Sequence, residues 1–222
     1  MSPFTRHQGI VAILDWTDVN TDLIIPARYL KRIERTGYGP LLFADKRYLP
    51  GHAPDPDTPD QHGPLDPVFP LNDPRFTEAS ILVVGKNFGC GSSREHAVWA
   101  VAQAGFRVLI APGINEGFAD IFEQNAFNNG LLPIELPEEE WNRIASAARS
   151  SQRLQAEVDL EHQDLHILAV DGDFRIPFTT PESQRQRLLQ GLDAISETLI
   201  HEAAIANYES LAPPWVVRSA ES

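Results

Sequence analysis

Cysteine is nearly absent from this 222-residue chain: Cys90 is the only one. An internal disulfide is therefore excluded, which agrees with a reducing compartment. One thiol also cannot supply the three or four thiolates that usually hold an iron–sulfur cluster. Lysine is scarce too, with Lys31, Lys46 and Lys86 alone. Its 18 basic side chains face 31 acidic ones, a formal charge of −13. Such a chain repels phosphate backbones, so nucleic acid is a poor partner. No apolar run approaches the roughly 18 residues of a spanning helix, so no membrane partner is expected. Residues 1–8 lack an apolar run and a small-residue cleavage site. No secretory signal is read there, and the expected compartment is the cytoplasm.

What is present suffices for a core, since 42% of the residues are hydrophobic. Residues 9–14 read as a short apolar strand. Residues 79–85, with Ile81, Leu82, Val83 and Val84 in a continuous run, read as a buried strand. Residues 92–104 read as a helix, 107–111 as a strand, 118–127 as a helix and 131–136 as a strand. Gly130 stands where a helix C-cap belongs, and Pro137 opens an acidic-first helix over 138–150. This alternation predicts an α/β fold with a parallel sheet and crossover helices. Residues 165–170 and 174–178 flank Asp171-Gly172-Asp173, a hairpin signal. Residues 182–190 and 194–208 read as two closing helices, and the tail from about residue 213 as loose. Residues 49–74 hold eight of the 18 prolines. Proline there excludes a regular helix or a central strand. The segment reads as a surface excursion within one domain spanning residues 1–222.

Two segments suggest chemistry. Arg28, Lys31, Arg32 and Arg35 crowd together with only Glu34 opposing them. They form either a solvated basic face or a site that attracts a small anion. The other segment is Asn87-Phe88-Gly89-Cys90-Gly91-Ser92-Ser93-Arg94-Glu95-His96-Ala97. It joins a buried strand to a helix, where α/β sheets place ligands. Gly89 and Gly91 allow a sharp turn and close approach to a bound group. Free amides at the helix start favour an anion. Arg94 offers a planar fork suited to a carboxylate. Ser92 and Glu95 also fit a capping box, so either serine could serve as a cap alone. Cys90 could be a nucleophile but reads better as a packed or loop thiol, and His96 reads better as a hydrogen-bonded structural histidine than as a base. Spacing alone gives an anion-binding loop at a helix N-terminus.

The same string closely resembles the signature of isopropylmalate dehydratase small subunits, within the aconitase superfamily. Asn20-Thr21-Asp22-Leu23-Ile24-Ile25-Pro26 resembles a second signature of that family. Further blocks follow in family order: Ile110-Ala111-Pro112, Phe118-Ala119-Asp120-Ile121-Phe122, Phe127-Asn128-Asn129-Gly130-Leu131-Leu132-Pro133, then Gly191-Leu192-Asp193 with Thr198-Leu199. The likeness runs from about residue 9 to 208.

The resemblance implies a swivelling β/β/α domain like the last domain of aconitase. It implies a large partner subunit holding a 4Fe–4S cluster, with no metal bound by this chain. The implied reaction dehydrates a small dicarboxylate and rehydrates it at the neighbouring carbon. By similarity to aconitase, Ser92 is the base, Ser93 its hydrogen-bonding neighbour and Arg94 a carboxylate clamp. Leu30, Lys31, Arg32 and Arg35 become candidates for substrate recognition. Asp22, Gly91 and His96 complete the expected substrate contacts. Small subunits of homoaconitase or of a citraconate/methylmalate-type hydratase share the serine signature and remain rivals. So do a non-catalytic carboxylate-binding domain and a Cys90-dependent enzyme.

Overall fold

A computed structural model describes residues 1–192, 194–199 and 201–211. Its centre is a seven-stranded sheet of order β4-β3-β2-β1-β5-β6-β7. The strands are β1 (Arg6–Leu14), β2 (Ala79–Val84), β3 (Val108–Pro112), β4 (Leu132–Leu136), β5 (Gln155–Asp159), β6 (Asp164–Leu168) and β7 (Phe174–Pro177). β1 to β4 run parallel to one another. β5 pairs antiparallel with β1, and β6 and β7 continue in the same manner. The sheet is therefore mixed. The parallel core stands as expected, and an antiparallel half extends it.

The parallel half is apolar because both its faces are covered. Side chains alternate between faces along each strand. Leu82 and Val84 join Leu14 and Leu109 in one core. Ile81 and Val83 join Ile13, Val108 and Ile110 in the other. The first core packs beneath α3 (Glu95–Gln103) and α4 (Asp120–Asn128). The second packs beneath α5 (Glu138–Ser150), whose Trp141, Ile144, Ala145 and Ala148 face the sheet. Trp141 Nε1 donates to the Val84 carbonyl at 2.9 Å, tying α5 to β2.

Two helices start later than the sequence pattern suggests. α3 begins at Glu95 and not at Ser92. The Ser92 carbonyl is taken by Thr21 Oγ1 at 2.9 Å, and Arg94 is extended at φ −137°. α4 begins at Asp120 because Phe88 and Phe118 form a bridge, and the Ala119 amide donates to the Phe88 carbonyl. Gly130, at φ +76°, ends α4 as expected. Its amide donates to the Phe127 carbonyl, and the Leu131 amide to that of Ala126, a Schellman closure.

The remaining helices are short. α1 (Thr21–Ile24) and α2 (Ala44–Arg47) lie between β1 and β2. α6 (Glu182–Gln190) matches its expected bounds. The second closing helix is divided into α7 (Ala194–Leu199) and α8 (Glu202–Leu211). The tail expected to be loose from residue 213 lies outside the described residues. Residues 49–74 hold one 3-10 turn, the start of a second at Pro74, and isolated bridges. Phe69 is nonetheless buried, in ring contact with Trp16 and Phe43. Tyr29 Oη donates to the Pro54 carbonyl at 2.8 Å, fixing the segment from beneath.

Candidate active site

The loops after β1 and β2 are stitched together at the carboxyl ends of these strands. The Asp18 amide donates to the Lys86 carbonyl at 2.9 Å. The Gly89 amide donates to the Val19 carbonyl at 2.7 Å, and the Thr21 amide to that of Cys90 at 2.9 Å. Asn20 caps α1, its side chain accepting from the Leu23 amide at 2.8 Å. The loop after β3 joins from the other side, with the Gly117 carbonyl accepting from the Phe88 amide. The two sequence signatures thus form one structure. Gly89 is required by space as well as by φ +82°: a Cβ there would lie 2.2 Å from Phe122 Cγ.

These loops enclose a cleft of about 230 Å³. Gly91, Ser92, Ser93 and Arg94 form one wall, and Asp120, Ile121 and Phe122 form part of the other. Ser92 and Ser93 are exposed. Among the described residues, neither hydroxyl has a hydrogen-bond partner. The capping box is not formed, because α3 has no side-chain cap. Glu95 instead accepts from Asn129 Nδ2 at 3.0 Å. Both serine hydroxyls are consequently available to something outside the chain. The Ala97 amide donates to the Arg94 carbonyl at 3.1 Å, whereas the Glu95 and His96 amides at the start of α3 have no intrahelical acceptor and add positive character there.

Arg94 is the cation of the cleft, and it pairs with Asp22. Its side chain is 17% exposed against 54% for Asp22, so the guanidinium is the better sheltered partner. An incoming carboxylate would replace or share that contact. Cys90 is half-buried behind the serines, and burial, with Asp18 adding to it, pushes its thiol up. A raised thiol is a poor nucleophile at neutral pH.

Residues 1–139 match the family described as Aconitase C-terminal domain. A 3-isopropylmalate dehydratase small subunit of Desulforapulum autotrophicum is 47% identical, over 97% of this chain and 98% of that protein. The protein of the same name from Bacillus subtilis is 44% identical, over 97% of this chain and 99% of its own length. The chain belongs to the family of 3-isopropylmalate dehydratase small subunits. A solved 3-isopropylmalate dehydratase from Methanocaldococcus jannaschii agrees in fold, with a TM-score of 0.58 and 25% identity. That match covers 91% of this chain and 99% of the other.

Within this small-subunit fold, not all the candidate residues meet. Gly91, Ser92, Ser93 and Arg94 line the cleft, and Asp22 reaches it through Arg94. Leu30, Lys31, Arg32, Arg35 and His96 do not line it. His96 instead sits between the rings of Tyr38 and Trp99, at 5.6 and 4.7 Å. Burial pushes its pKa below the ordinary histidine value, with Glu95 opposing and Arg94 adding. Arg32 turns inward, its side chain 8% exposed. Its guanidinium donates to the Pro56 and Thr36 carbonyls, so it braces the loop and is not offered to a substrate. Arg35 lies over Trp99 at 5.6 Å, and its carbonyl accepts from Gln103 Nε2 at 2.8 Å. Leu30 is half-buried and Lys31 exposed.

The second wall of the cleft carries residues to which the sequence reading gave no role. Asp120, Ile121 and Phe122 belong to a quoted family block, which was the available signal. Thr21 is another, buried at 2% exposure and bonded to the serine turn.

Proposed function

We propose that this chain is the small subunit of a hydro-lyase of leucine biosynthesis. The enzyme converts 2-isopropylmalate to 3-isopropylmalate through 2-isopropylmaleate, in the cytoplasm, with a large subunit as obligatory partner. The observation that carries the reading is the pair of exposed, unbonded serine hydroxyls beside a sheltered arginine. The curated relatives described above are named for this one dehydratase, which leaves the homoaconitase and methylmalate readings without support.

The family likeness implies a 4Fe–4S cluster, and the residues of this chain do not fit one. Its single thiol is half-buried and raised by burial. Among the described residues, one group of potential ligands clusters closely: Asp159, Glu161 and His162. That set is oxygen-rich and bears no thiolate, and Asp159 already pairs with Arg6 at 2.8 Å. The cluster therefore belongs, in this reading, to the large subunit.

The contribution of this chain is to hold the substrate and move a proton. Arg94 grips a carboxylate by its two parallel donors. Ser92 Oγ, as an alkoxide, takes the proton from the carbon beside a carboxylate, and the hydroxyl on the neighbouring carbon leaves as water after receiving a second proton from an acid outside this chain. When water adds at the other position, Oγ–H returns its proton to carbon and that acid takes the proton the water loses. An isolated alkoxide is costly, and the α3 amides and Arg94 lower that cost electrostatically. Ser93 stands next to Ser92 as a hydrogen-bonding neighbour.

Co-expression with a large subunit, anaerobic purification and absorbance of the unsaturated intermediate test this. Ser92→Ala is expected to cut turnover by about 10²–10⁴-fold, the usual worth of a general base. Assembly and melting temperature stay close to those of the parent, because the Ser92 side chain caps nothing. Turnover within a few-fold of the parent would end the assignment of Ser92 as base.

A further inference from the structure

The serine cleft is braced by a carboxylate that does not line it. β4 reads Leu132-Pro133-Ile134-Glu135-Leu136. Leu132, Ile134 and Leu136 face the second core, so Glu135 projects from the opposite face of the sheet. It stands near the carboxyl end of β4, and β4 runs parallel to β3 and β2. That is the end of the sheet that carries the serine turn. Glu135 is half-buried and takes three backbone amides of the loop after β3. Its Oε2 accepts from Asn115 at 2.6 Å, and its Oε1 from Gly117 at 2.9 Å and Phe118 at 3.2 Å. Among the described residues, these three amides have no other acceptor. Amide bonds to a carboxylate are of the stronger kind. Gly117 fits this contact: a Cβ there would lie 3.0 Å from Glu135 Oε1 and 2.7 Å from Ala111 Cβ.

The loop so held is the one that grips the serine turn. The Glu116 and Gly117 carbonyls accept from the Asn87 and Phe88 amides, each at 2.9 Å. The Ala119 amide returns a bond to the Phe88 carbonyl at 3.0 Å. Residues 87 and 88 open the turn that carries Ser92. Residues 118 and 119 lead into α4, which supplies the other wall of the cleft. The loop has little to hold it besides Glu135. The Gly113 amide donates to the Leu136 carbonyl and the Glu116 amide to that of Gly113. A reactive group is kept in place by such a supporting shell.

We propose, resting on the role given to Ser92 above, that Glu135 is a positioning residue for the dehydration. Through residues 115–118 it sets the spacing between Ser92 and the α4 wall. Arg94 is held separately by Asp22, so loss of the brace displaces the base more than the clamp.

Turnover of the assembled pair and hydrogen exchange of the full chain test the proposal. Glu135→Ala is expected to lower kcat by about tenfold or more and to leave KM within about threefold, since a misplacement of about 1 Å can cost 10²-fold in rate. Glu135→Gln keeps an acceptor oxygen for Gly117 and Phe118 and is expected to restore most of that kcat. Glu135→Asp keeps the charge and draws the carboxylate back by one methylene, so it is expected to be slower than Glu135→Gln. In the full chain alone, Glu135→Ala is expected to speed exchange at Asn87 and Phe88 by about tenfold or more. Exchange is read without turnover, so failure of the brace and failure of the Ser92 assignment show separately. Unchanged exchange at Asn87 and Phe88 overturns the proposal. So does a Glu135→Ala kcat near the parent's in a pair that Ser92→Ala inactivates. Glu135→Asp as fast as Glu135→Gln overturns it too, a comparison between two mild substitutions that does not require the alanine variant to fold.

Discussion

Two glycines two residues apart do different work in the serine turn. Both have positive φ, +82° at Gly89 and +89° at Gly91. At Gly91 a Cβ would find Asn20 Cβ at an ordinary 3.5 Å. At Gly89 it would meet the Phe122 ring at 2.2 Å. Gly91→Ala should therefore cost only the left-handed backbone penalty, about 1–2 kcal/mol. Gly89→Ala should cost that and an overpacking penalty of about 1–3 kcal/mol. Urea unfolding of the two variants checks the order, and equal losses would show that Phe122 moves aside freely. The motif string revealed the need for both glycines but not this difference. Phe122 lies on another element, and only the folded chain sets it against Gly89. The inward turn of Arg32 was hidden for the same reason: its carbonyl partner Pro56 lies 24 residues away.

The elements differ in how much local sequence decides them. α5 was legible to the residue, because Pro137 precedes three glutamates in its first turn. β2, β3 and β4 were legible as apolar runs, since covering both faces demands continuous hydrophobicity. β5 escaped notice. It buries only Ala156 and Val158 and exposes Gln155 and Glu157, too faint an alternation to announce a strand. Its pairing with β1 supplies what its own sequence lacks. The start of α3 was displaced by a tertiary bond, from Thr21 to the Ser92 carbonyl, that no window around Ser92 contains. α5 is also where an element-scale test is cleanest. Its Trp141 donates to Val84 inside the sheet–helix interface. Trp141→Phe removes the donor, strands the Val84 carbonyl and leaves a small void. A loss of about 1–3 kcal/mol is expected from the unsatisfied carbonyl alone. A melting temperature equal to the parent's would mean that the bond does not anchor α5.

Across the whole molecule, the sheet divides into two halves of unequal burial. β2 and β3 lie inside the parallel half with both faces covered, and Ile81, Leu82, Val83, Leu109 and Ile110 are fully buried. β7 is an edge strand, with Phe174 half-buried and Arg175 and Pro177 exposed. The serine cleft belongs to the covered half, at the carboxyl ends of β1, β2 and β3, where ligand sites gather in such sheets. A proton-transfer site gains from a stiff support, and its loops can still adapt to a partner. Local opening energies range from near zero at edges to the global value in the core. Hydrogen exchange should therefore be slowest at Leu82, Val83 and Leu109, and faster by about a hundredfold or more at Arg175 and Ile176. Adding the large subunit should slow the amides of Ser92, Ser93, Ile121 and Phe122, which line the cleft, and leave those of β7 unchanged. Protection gained at β7 and not at the cleft would put the partner on the wrong side of the sheet. The serines would then have nothing to act upon, and the proposed division of labour between the two chains would fail.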